Sequence, residues 1–258
     1  MDLTQTPPER MFESRWVDDY KQIRRALYKE VCSLSTTMHL VGKIARFPFR
    51  TLYEGQPLPF WIATYYSLYE SAVLGVWRLA VDTKGDLTSL GRWKGLMWEY
   101  AKGQDEQQEL KAHLEKSSYS KFISEIEETV RRHRHQRIGH LKRNVVLGNA
   151  NPVEPEDLPV TDLEKATEVI QEQHRLLSLE QVFPTYLPHY KTKPSTVGAM
   201  SQEDIDEMLC QLAVKSSKLN LPETAEHVWR EHREKVLEWD ELEEYNRYRK
   251  MQNLPPVE

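Results

Sequence analysis

Cysteine is scarce in this chain: Cys32 and Cys210 are the two among 258 residues. Each sits in helix-patterned sequence without a close-spaced partner, which excludes a disulfide scaffold and suits packing residues in a reducing compartment. Ten glycines and only scattered alternating apolar runs leave little room for a sheet. There is no internal repeat and no low-complexity tract. The opening MDLTQTPPERMFESR has no apolar h-region, so no secretory signal is expected. Long uncharged apolar runs are also missing. The stretch nearest to one, Phe60 to Val81, carries Glu70 and Arg78 and is rich in Tyr, Ser and Thr. Charges near mid-bilayer are expensive, so it reads as a buried bundle helix, and a soluble cytoplasmic protein without a membrane partner is expected.

What is abundant is charge, 29% of residues, beside 39% hydrophobic residues, as in a helical protein with much charged surface. The spacing of Trp16, Tyr20, Ile23, Leu27, Val31 and Leu34 predicts a first helix over Arg10 to Arg46. Phe47 to Pro59, with three prolines and Gly55, breaks it. A second helix comes next, opened by Pro57 and Pro59 and ending near Asp82. A third spans Thr88 to Lys102, closed by Gly103 at a C′ position, and a polar helix spans Gln104 to Lys116. Leu147 to Val160 is a connector, after which Thr161-Asp162-Leu163-Glu164 reads as a capping box starting a helix to Leu179. The expected architecture is therefore all-α: an up-and-down helical bundle over residues 1–180, a proline-containing linker or arm over 181–200, and a helical extension over 201–258. The arm carries Phe183, Tyr186 and Tyr190.

One segment stands apart. Arg131 to Asn144, RRHRHQRIGHLKRN, holds six Lys/Arg and three His and no acid, in a chain of net charge -5. Phe122, Ile126, Val130, Ile138, Leu141 and Val145 recur at helical spacing through it, predicting one long amphipathic helix. At about 100° per residue, Arg134 falls between Val130 and Ile138, each about 40° away, on the core seam. Arg137, Asn144, His133 and His140 fan out beside it at about 60° to 120°. A guanidinium on a seam is costly unless an anion or a partner surface meets it. The plainer account is a solvated basic face, with Arg134 paired to a buried carboxylate such as Glu70 or Asp82.

A metal centre is not indicated. His133 and His135 are two apart and point to different helix faces. His227 and His232 are spaced i,i+5, where helical zinc ligands favour i,i+4 or i,i+3. No cofactor is expected.

With these elements placed, the sequence resembles the HEPN superfamily, in its abortive-infection AbiU-like branch. The signature there is an Arg, four to six residues, then a His on a late helix. Arg134 to His140 has five intervening residues, and Gly139-His140 is similar to that branch's small residue-His ending. Trp77-Arg78-Leu79-Ala80-Val81-Asp82 followed by Leu87-Thr88-Ser89-Leu90 resembles its helix end and Leu-Ser-Leu element. Leu158-Pro159-Val160-Thr161 resembles the start of its closing helix. The likeness covers Leu34 to Leu177. The sequence departs from the pattern at His135, where many members have Asn or Asp, and at Leu141-Lys142, where an acid is common. The Tyr that some members carry two residues after the His is absent.

The resemblance implies metal-independent RNA cleavage by a homodimer with Arg134 and His140 catalytic, in a toxin or phage-defence setting that brings a cognate antitoxin or defence partner. The chemistry is coherent. RNA carries its own 2′-OH nucleophile, so the protein need only move protons and stabilise phosphate charge. His140 suits proton transfer near neutrality, and the planar fork of Arg134 suits phosphate oxygens. His133, His135, Arg137 and Asn144 are the expected substrate-binding residues. The alternative is a catalytically inactive HEPN-like module that binds nucleic acid or a partner protein, with Arg134 in an ion pair.

Overall fold

The computed structural model describes residues 3, 6–47, 59–82, 89–138 and 157–179. Among them the protein is all-α, with no strand and one isolated antiparallel bridge between Phe12 and Ala101. The expected arm over 181–200 and extension over 201–258 lie outside the described residues.

The first predicted helix is split. α1 (Pro8–Met11) begins with proline in its first turn, where a missing N–H costs little. The chain then extends at Phe12, with φ -117° and ψ 155°, before a 3₁₀ turn (Ser14–Trp16) and α2 (Val17–Arg46). The break has a packing cause. Glu13 N–H donates to the Tyr100 carbonyl at 3.0 Å and Lys102 N–H to the Met11 carbonyl at 3.0 Å. That pairing sinks Met11 and Phe12 into the core, where Phe12, Trp16, Tyr20 and Trp93 form an aromatic cluster.

α2 buries Tyr20, Leu27, Val31, Leu34, Met38 and Val41, the stripe its spacing predicts, against α3 (Pro59–Val76) and α7 (Val160–Leu177). Contact with α3 is close enough that a Cβ on Gly75 would lie 3.0 Å from Leu34 Cδ1. α7 runs antiparallel to α2: Tyr20 Oη donates to the Leu177 carbonyl, Gln171 Nε2 to Ser35 Oγ, and Arg46 to Glu164. The capping box does not form. α7 starts two residues earlier than the capping box implies, with Pro159 at its N-cap instead of Thr161, so Thr161 lies inside the helix and caps nothing. Glu164 is instead buried and takes the Arg46 guanidinium bidentately at 2.6 and 2.8 Å.

α3 corrects the reading of Phe60 to Val81 as a buried helix. Its second half buries Tyr69, Ala72, Val73, Gly75 and Val76, but Phe60 is 63% and Ile62 54% exposed. No helix among the described residues is long and apolar enough to cross a membrane. α4 (Leu90–Glu99) is capped by Ser89, whose hydroxyl accepts the Arg92 N–H at 3.2 Å. Gly103 does not close α4. It is extended (φ -165°, ψ -174°) and is the N-cap of α5 (Gln104–Leu114). From α5, His113 ties the bundle's ends together: its Nδ1 accepts the Leu3 N–H at 3.2 Å and its Nε2 donates to the Leu176 carbonyl at 3.1 Å.

α6 (Tyr119–His133) packs antiparallel to α3, with Tyr119 beside Ala80 and His133 beside Tyr69. Both helices end alike. α3 runs into a π turn over Trp77–Val81, and α6 into another over Arg134–Ile138.

Candidate functional site

The buried stripe of α6 is Tyr119, Phe122, Ile123, Ile126, Val130 and His133. After Val130 it steps three residues to His133, not four to Arg134. The seam position expected for Arg134 is thus filled by an imidazole that is 0% exposed and meets the Tyr69 ring edge-on at 6.1 Å. Tyr69 is itself fixed, its hydroxyl donating to the Leu158 carbonyl at 2.7 Å. A ring packed this way cannot meet a ligand in solvent, which corrects the expectation that His133 binds substrate. Beyond it, hydrogen bonds of the π turn reach five residues back rather than four, so an even 100° step no longer describes the helix.

Arg134 opens that turn and is half-buried at the flank of the seam. Its guanidinium carbon lies 5.1 Å from the centroid of the Trp77 ring, and Nη1 lies 3.1 Å from Nδ1 of His135. A guanidinium only donates, so Nδ1 accepts, and the His135 proton in this contact sits on Nε2. His135 closes the group, edge-on to Trp77 at 5.7 Å with an interplanar angle of 76°. Trp77 opens the other π turn. The two π turns therefore meet through their first residues.

Arg134 makes no ion pair with Glu70, Asp82 or any other carboxylate of the described residues. Its charge is met by an indole face and a ring nitrogen, which attract without neutralising. The nearby cations behave differently. Arg131 is exposed and pairs with Glu127 one turn back, and Arg132 is exposed. Gln136 lies on the same π turn with its Oε1 buried and accepting no hydrogen bond from the described residues. The Arg137 backbone belongs to the π turn, but its side chain, together with His140 and Asn144, lies outside the described residues. Of the six expected site residues, the structure thus brings Arg134 and His135 together and places His133 in the core.

Trp77 is the residue that sequence reasoning missed as a site group. It lay in view within the Trp77-to-Asp82 element, but an indole in an apolar run carries no charge pattern to mark it. Elsewhere, burial pushes His174 down to about 4, opposed by its Nε2–H bond to the Arg24 carbonyl and reinforced by the Arg24 charge. Burial raises the pKa of the Cys32 thiol, opposed by its contact with the Tyr28 hydroxyl. Among the described residues no three His, Cys, Asp or Glu side chains gather as metal ligands would.

The arrangement offers a positive planar fork with unspent N–H donors beside an imidazole. Such a pair can grip an anionic oxygen and orient it next to a proton-transfer group. Searches against protein-family models, curated proteins and solved structures find no match to this chain.

Proposed function

We infer that the chain is a metal-independent endoribonuclease-type effector on a HEPN-like helical bundle, acting in a toxin or phage-defence setting. Arg134 binds the scissile phosphate and His140 transfers the proton. Two copies facing across their basic helices supply a full acid–base set. The observation that carries this reading is the state of Arg134: half-buried, oriented by Trp77 and His135, and not committed to a carboxylate. A purely structural arginine at this depth would be expected to hold a carboxylate, as Arg46 holds Glu164. An oriented guanidinium with donors to spare stabilises a phosphate transition state without reorganising.

The test is RNA degradation by the purified chain in the presence of a chelator. Arg134→Ala and His140→Ala should each lower cleavage by about 10² to 10⁴-fold while circular dichroism stays native. Dependence on added divalent metal sinks the mechanism, and full activity in both variants sinks the assignment. A catalytically inactive nucleic-acid or protein-binding module is the second reading. It is favoured by His135, which already takes one donor of Arg134, and by the burial of His133. RNA binding that Arg134→Ala weakens, with no cleavage by the wild type, would select it.

A further inference from the structure

We propose that Trp77 is the positioning residue of Arg134: the indole fixes the guanidinium plane, so that anion capture at Arg134 depends on an aromatic ring from the opposite helix. This rests on the reading of Arg134 as the phosphate-binding group.

An arginine side chain has several rotatable bonds, and leaving its head free would cost ordering entropy each time it met a phosphate. Here two contacts remove that freedom beforehand. The Trp77 ring lies 5.1 Å from the guanidinium carbon, within the reach of a cation–π contact. His135 Nδ1, at 3.1 Å, takes one edge through Nη1. His135 is in turn set edge-on against the same indole, so Trp77 touches both groups that define the fork's direction. The remaining donors, on Nε and Nη2, make no hydrogen bond to a described residue. The arrangement leaves them to a phosphate.

Trp77 itself has a firm base. It is half-buried, packs on the core, and opens the π turn whose later residues Leu79, Ala80 and Val81 are buried. That turn ends on the Asp82 N–H bond to the Trp77 carbonyl at 2.8 Å. Without the π turn at this point the indole would leave the helix at a different angle, which gives the irregularity a use.

The experiment compares the wild-type chain with Trp77→Leu, which keeps apolar bulk, and Trp77→Phe, which keeps an aromatic face. Its first readout is the proton NMR signal of the Arg134 side chain, identified by its loss in Arg134→Lys. Ring current should displace it upfield in the wild type, partly in Trp77→Phe, and not in Trp77→Leu. The second readout is turnover of an unstructured RNA oligonucleotide in chelator. Trp77→Leu should lower kcat by about 3- to 30-fold, the worth of one cation–π contact, with KM changed less and with recovery in Trp77→Phe. An Arg134 signal that does not move in a natively helical Trp77→Leu protein overturns the proposal. So does wild-type kcat in that variant. Should Trp77→Leu fail to fold, Trp77→Phe decides: a reduced displacement sustains the proposal, and an unchanged signal overturns it. If the wild type cleaves no RNA, the nuclease reading fails by itself, and the NMR comparison still decides whether Trp77 holds Arg134.

Discussion

Arg134 rests its guanidinium 5.1 Å from the Trp77 ring centroid, whereas Arg46 drives its own into Glu164 at 2.6 Å. The two arginines are half-buried and similar in kind, yet they depend on different physics, and stability measurements should separate them. Truncating Arg134 to Ala removes a cation–π contact and strands no carboxylate of the described residues, so it should cost about 0.5 to 2 kcal/mol. Glu164→Ala removes the carboxylate that the Arg46 guanidinium, on a side chain only 15% exposed, meets bidentately. That loss should be about 3 kcal/mol, the low end for a broken buried pair. Urea unfolding of the two variants gives the comparison. An Arg134→Ala protein as damaged as Glu164→Ala would return Arg134 to a structural role.

The residues also show why some of the architecture was legible in sequence and some was not. Tyr20, Leu27, Val31 and Leu34 recur at helical spacing and are buried as that spacing requires, because α2 is regular through that stretch. Phe122, Ile126 and Val130 behave likewise on α6. Helical periodicity loses its power where the helix stops being α. Arg134 opens the second π turn, where an even angular step stops applying, and the seam position expected for it is held by His133 at the end of α6. Local motifs misled for a related reason. Thr161 to Glu164 spells a capping box, but Arg46, far away in sequence, claims Glu164, and a short-range pattern cannot see that competitor. Gly103 likewise serves the helix after it, because the bridge at Phe12 and Ala101 holds the intervening turn extended. The pairing of Trp77 with Arg134 joins positions far apart in the chain, and no periodicity within either helix reports it.

His174 should make stability pH-dependent on the acid side of neutrality. Its ring is buried against Trp93, and burial pushes its pKa from 6.5 down to about 4. Between these values the unfolded chain holds a proton that the folded chain does not, so unfolding free energy rises with pH across the window. The contribution is fully present above 6.5, falls away as pH drops, and is gone below about 4. The full span is about 3 kcal/mol. Carboxylates titrate at its lower edge, so the difference between wild type and His174→Gln is the useful quantity. Chemical denaturation at several pH values should show a shallower slope for the variant between 4 and 6.5. Equal slopes would mean that the imidazole charges without opening the core.

Leu179 offers a test in which two familiar effects oppose each other. It comes directly after the C-cap of α7 in the left-handed region, at φ 54°, and is fully buried. Glycine is the usual residue at such a helix end, since a Cβ there costs about 1 kcal/mol. Leu is kept here by what it buries. Leu179→Ala gives up most of that side chain, at about 2 to 5 kcal/mol, and retains the backbone strain. Leu179→Gly gives up slightly more apolar surface but releases the strain. In an ordinary helix interior Gly is worse than Ala by about 1 kcal/mol. At this position the order should reverse or close to nothing, with Leu179→Gly melting at or above Leu179→Ala and both below the wild type. Thermal melts of the three proteins suffice. An Ala variant clearly more stable than the Gly variant would mean that the chain leaves the left-handed conformation once the leucine anchor is removed.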